Sequence, residues 1–158
     1  MSPTILIYGY GNPGRQDDGV GVAFAESLRH WAAAENLANL SFEVNYQLVP
    51  EDALTLAAVD IVIFADASGE EGIDAYAFSP LTPVDTIAFT THAMTPESIL
   101  ALCEELYDKN PKAFLMRLRG YSWEPAATTT EKAGENVTAA LAFIKPHLRS
   151  PHMLARIA

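Results

Sequence analysis

The sequence predicts an α/β protein: a three-layer α/β/α sandwich around a mostly parallel sheet of about five strands, one of them irregular or antiparallel. Three observations lead there. Short apolar runs rich in β-branched residues alternate along the chain with segments whose apolar residues recur every three or four positions. Residues 60–68 (DIVIFADAS) are apolar on both alternating faces, as a central parallel strand covered by helices on each side requires. Finally, Pro80 and Pro83 break the strand-like residues 76–79 and 86–90, which confines the irregular strand to an edge or a connection. A chain of 158 residues with 49% hydrophobic content is expected to form one domain, residues 1–158.

Taken in order, residues 5–8 (ILIY) form a buried strand that stops at Gly9, and a turn rich in Gly, Asn and Pro follows. Val20, Phe24, Leu28 and Trp31 mark an amphipathic helix running to about Asn36. Residues 41–48 alternate Phe42, Val44, Tyr46 and Leu48 with polar partners, the pattern of a strand with one buried face. Pro50 opens a short helix through about Ala57, and the strand at 60–68 comes next. Thr95 and Pro96 read as the cap and first position of a helix whose apolar stripe is Ile99, Leu102, Cys103, Leu106 and Tyr107. On that stripe Cys103 reads as core. Residues 113–119 form the last strand, and the aromatics of the loop 120–125 either pack down or hold a partner segment. The threonines 128–130 cap a final helix presenting Val137, Ala140, Leu141 and Ile144, and the tail 150–158 is expected to be loosely attached.

Twenty acidic residues against ten basic ones give a formal net charge of −10, which disfavours nucleic acid and anionic membrane surfaces and favours basic or metal-bearing partners. No window approaches a membrane span, and the chain opens on a core strand where a secretory leader would be basic then apolar. With a single cysteine, no internal disulfide forms. A cytoplasmic, monomeric protein is the expectation.

The chemistry concentrates between Gly9 and Gly21. Gly9, Gly11 and Gly14 spell a dinucleotide-type glycine turn, yet Asp17 and Asp18 would meet a pyrophosphate with like charge. The acid about 20 residues on, Glu35, lies in a helical pattern and not at a strand end. Asp17 and Asp18 read equally as helix caps or as a site; one aspartate suffices for capping, and Asp17 is assigned that role. Asp66 ends an apolar strand on the same sheet edge, where a buried carboxylate requires a partner or a cation, or caps the loop beyond. His92 precedes a helix and, taken alone, reads as a solvated histidine. There is no G-x-S-x-G elbow, no H-E-x-x-H and no cysteine placed as a nucleophile.

The stretch GYGNPGRQDDGVG resembles the N-terminal signature of the hydrogenase maturation endopeptidases, which trim a C-terminal tail from the large subunit of nickel–iron hydrogenases. The family pattern is a strand, G-x-G-N, a few loop residues, an acidic pair and G-x-G, and THAMTPESILAL resembles the segment in which a histidine precedes a helix. The resemblance implies a phosphorylase/hydrolase-like sandwich and a peptidase with Asp18, Asp66 and His92 as catalytic, metal-contacting residues. It also implies that the metal is nickel supplied by the precursor, with adventitious divalent metal in the isolated protein. The partner implied is the large-subunit precursor. The glycine-rich turn that the family often carries after its second strand is replaced here by Gln47, Leu48, Val49, Pro50 and Glu51. A non-catalytic nickel-binding chaperone and a nucleotide-binding module are the alternatives.

Overall fold

The computed structural model describes residues 2–84 and 94–157. Five strands form one sheet: β1 (Ile5–Tyr10), β2 (Leu40–Asn45), β3 (Ile61–Ser68), β4 (Tyr76–Leu81) and β5 (Lys112–Arg119), in the order β2-β1-β3-β5-β4. All neighbours are parallel except β4, which runs antiparallel along β5 as an edge strand and tolerates Pro80 there. The predicted piece at residues 86–90 lies outside the described residues.

The helices α1 (Val20–Ala34), α2 (Asp52–Ala57), α3 (Pro96–Tyr107) and α4 (Glu131–Arg149) cover both faces. Alternation along the strands decides which side each residue serves. Ile5, Ile7, Ile61, Ile63, Phe114 and Met116 pack against Phe24 and Leu28 of α1 and Ala140 and Ile144 of α4. Leu6, Tyr8, Val62 and Phe64 pack against Leu56 of α2 and Ile99 and Cys103 of α3. The result is the expected sandwich.

Since β2 lies on one side of β1 and β3 on the other, strand order reverses at β1, and in such sheets the crevice at the carboxyl ends of the strands around the reversal, here β1 and β3, is where ligands bind. Glycines allow the N-terminus of α1 to sit flush on those ends. A Cβ on Gly9 would lie 2.3 Å from the Gly21 carbonyl oxygen, and one on Gly21 would lie 2.4 Å from that of Ala65.

Three expectations are corrected. The second strand ends at Asn45, so Tyr46 stands 73% exposed, while Leu48 turns beneath the sheet into the α2–α3 layer. The stripe of α3 stops at Cys103, leaving Leu106 and Tyr107 58% and 38% exposed as the helix closes at left-handed Asp108. The tail is not loose. Pro151–Arg156 forms a 3-10 helix that buries Leu154 in the α1–α4 layer. Among the described residues, no helix is long and apolar enough to cross a membrane.

Candidate active site

The chain leaves β1 into a turn that carries the acids. Gly11 still donates to the Asn45 carbonyl at 3.0 Å, and Asn12 accepts from Gly14 N through its side chain at 2.8 Å, which closes the turn. Gly11 has φ +137°, and a Cβ there would meet the Asp18 carbonyl at 2.0 Å, so glycine is required. The 3-10 helix Gln16–Gly19 follows and leads directly into α1.

Within it Asp18 is half-buried and folds back over the turn. One of its oxygens accepts the Asn12 amide at 2.7 Å, and the other takes no hydrogen bond among the described residues. Asp66 approaches from the carboxyl end of β3, whose Ala65 pairs with Gly9 of β1. Burial pushes its carboxyl up to about 6, the Ala67 backbone and the Tyr10 hydroxyl oppose the shift, and the negative charge of Asp18 adds to it. Two carboxylates that feel each other in a partly desolvated crevice are suited to sharing a cation, which would remove both penalties.

Tyr10 belongs to this site although the sequence reading passed over it. It extends from the same face of β1 as Tyr8, packs edge-on against that ring at 6.3 Å between centroids, and its hydroxyl faces Asp66. Burial and the neighbouring carboxylate both push its hydroxyl pKa up, so Tyr10 stays protonated and able to donate. The period-two spacing from Tyr8 was the available signal.

Asp17 does not cap its helix, contrary to expectation. It is fully buried and accepts from Tyr121 N at 2.8 Å, Ser122 N at 3.1 Å, Thr130 N at 2.8 Å and Thr130 Oγ1 at 2.8 Å. Burial alone would raise its carboxyl, but these four bonds prevail and hold it below the ordinary carboxylate value. Its partners lie more than 100 residues away, so local pattern could not reveal them.

His92 lies outside the described residues. Its neighbourhood is partly described, since Thr95 caps α3 through the Ser98 amide at 3.1 Å and the charge of Glu97 in the first turn is felt at Tyr10. The first turn of α3 is thus near enough to Tyr10 for its charge to act there. Among the described residues, no group of three His, Cys, Asp or Glu side chains could hold a metal. His30 and His152 are exposed, and His147 bonds the Phe143 carbonyl at 2.9 Å. Cys103 is buried in the core, with its thiol pushed up by desolvation. Of the glycines in the turn, Gly9 and Gly11 lie against the backbone carbonyls of Gly21 and Asp18, and Gly14 lies against the Asn12 side chain. Beside the turn runs a shallow apolar groove of about 220 Å³ lined by Gly11, Pro13, Val22, Val44, Asn45 and Tyr46.

No family model and no curated protein matches the chain. Solved structures do. Hydrogenase maturating endopeptidase HybD from Escherichia coli superposes with a TM-score of 0.69 at 21% identity, covering 94% of this chain and 93% of its own. The [NiFe] hydrogenase maturation protease HycI from Thermococcus kodakarensis gives 0.70 at 24% identity, covering 93% of both chains. The chain has the maturation-protease fold. Hydrogenase 2 maturation peptidase from a Thaumarchaeota archaeon, at 18% identity, shares it with a TM-score of 0.66 over 92% of this chain and 97% of that one.

Proposed function

We propose that the protein is an endopeptidase that removes the C-terminal peptide of a nickel–iron hydrogenase large-subunit precursor after nickel insertion. The observation that carries the reading is the meeting of Asp18 and Asp66 at the strand-order reversal of a maturation-protease fold. Both acids are the ones that the signature GYGNPGRQDDGVG and the strand DIVIFADAS single out. The protein acts as a cytoplasmic monomer.

Asp18, Asp66 and His92 are the ligands offered to the substrate. Two carboxylates and one imidazole suit a divalent transition metal and leave coordination positions open. The nickel is part of the precursor, so recognition consists of completing its coordination and thereby fixing the scissile bond. The Asn12 amide orients Asp18, and Tyr10 steadies Asp66. Asp66 exchanges its proton close to neutral pH, so it can be neutral before docking and ionised when a cation arrives. The apolar groove beside Gly11 can take a side chain of the tail. Misplacement by about 1 Å costs on the order of a hundredfold in rate, which makes a precursor without nickel a poor substrate.

The test is tail release, read by mass, from nickel-loaded and nickel-free precursor side by side. Release from the loaded form alone is expected, and Asp18→Asn, Asp66→Asn and His92→Ala should each fold yet lose at least about a hundredfold in rate. Equal rates on the two precursors would reject nickel recognition, and metal binding without release would make the protein a chaperone.

A further inference from the structure

The turn that carries Asp18 is held from the far end of the chain. Its backbone donates from Gln16 N to the Ala126 carbonyl at 2.7 Å and from Asp17 N to the Ser122 carbonyl at 3.0 Å. The Gln16 side-chain oxygen accepts from Ser122 Oγ at 2.5 Å and Glu124 N at 3.3 Å, and Asp17 accepts its four bonds from residues 121, 122 and 130. Gln16 has φ +47°, a left-handed conformation that a non-glycine residue keeps only when its surroundings impose it. Neither the 3-10 helix nor α1 has a side-chain cap, and the four hydrogen bonds that Asp17 accepts all come from the distant loop and its end at Thr130.

The same loop reaches the second acid. Gly120 N donates to the Ser68 carbonyl at 2.9 Å, two residues beyond Asp66. The Trp123 ring lies over Gly69 and Gly120, where added Cβ atoms would come within 3.5 Å and 2.8 Å of it, and the Gly120 Cβ would also stand 2.9 Å from the Asp17 Cβ. Loop, turn and the end of β3 are thus one packed unit.

We propose that Asp17 and Gln16 are positioning residues, through which the loop after β5 sets where the Asp18 carboxylate stands relative to Asp66. Strand β1 delivers the turn, and the loop fixes its rotation. The proposal deepens the peptidase reading and rests on it for its kinetic arm only.

The Asn12 amide, which donates to Asp18, reports the carboxylate's place without any substrate. Hydrogen exchange of that amide is followed in the wild type, Asp17→Asn, Ser122→Ala and, as a destabilised control remote from the site, Leu154→Ala. Ser122→Ala removes one half-buried hydroxyl and keeps the chain folded. Asp17→Asn on the turn and Ser122→Ala on the loop should both speed Asn12 exchange about tenfold or more against the amides of β3, while Leu154→Ala leaves that ratio unchanged. On nickel-loaded precursor both should lower kcat about tenfold, with a smaller change in KM. Wild-type exchange at Asn12 in both variants overturns the proposal, whatever happens to tail release. A response at Asn12 in a protein that releases no tail upholds the positioning and removes the peptidase reading.

Discussion

Asp66 shows how a buried carboxylate weakens the fold that holds it. Its carboxyl sits near 6 in the folded protein and near 3.9 in an unfolded chain, so the folded state holds the extra proton. Stability from this group is greatest below about pH 4 and falls as pH rises toward 6, leaving a deficit on the order of 2 kcal/mol at neutral pH. Asp66→Asn is therefore expected to raise the urea midpoint at pH 8 and to leave it unchanged near pH 4. A variant no more stable than wild type at pH 8 would show that the carboxylate is already compensated. Asp17 has the opposite sign: its depressed carboxyl contributes stability above the unfolded value and loses it as pH falls through the folded one. An amide at position 17 keeps one acceptor oxygen but turns its NH2 toward the donors that met the other, so Asp17→Asn should cost about 2–3 kcal/mol at pH 7 in denaturant melts, beyond the roughly 1 kcal/mol of a helix cap.

Between elements, one buried polar network joins β1, β2 and α2. Tyr8 donates its hydroxyl to Asp52 at 2.7 Å and accepts from Asn45 Nδ2 at 3.0 Å, while Val49 N donates to the same Asp52 oxygen at 2.9 Å. Every member is satisfied, and no buried side-chain polar atom lacks a partner among the described residues. The network fixes the connection of residues 46–51 between β2 and α2. Asp52→Ala strands the Tyr8 hydroxyl and the Val49 amide, so a loss of about 2–4 kcal/mol is expected. The denaturant slope m should stay constant, since compactness does not change; a loss below about 0.5 kcal/mol would mean that water replaces the carboxylate.

Over the whole molecule, the segment after α4 completes the layer built by α1 and α4. Leu154 is 1% exposed there, so Leu154→Ala should destabilise by about 2–4 kcal/mol, and a chain ending at Ser150 should melt at a lower temperature than the full one. Truncation without a change in melting temperature would restore the expectation of a loose tail. Charge acts at this scale too. A formal −10 distributed over so small a surface favours basic partner segments, and association with a basic peptide should slow as salt is raised.

The sequence by itself determined the layers, because periods of two and of three to four residues state which faces are apolar and strand 60–68 had to be central. It also marked Asp18 and Asp66, since paired acids beside glycines and an acid ending an apolar run are local patterns. The cap at Thr95, the edge role of the proline-bearing strand and the core role of Cys103 were legible for the same reason. Only the tertiary structure decided what Asp17 does, why Gln16 can be left-handed, that Leu48 and Tyr46 part company after Asn45, and that the tail returns to the core. Each of these depends on partners brought together by the fold, such as the 113 residues between Asp17 and Thr130. Hydrophobic periodicity encodes which side of an element is buried, whereas a hydrogen bond across that separation exists only after the sheet order has been set.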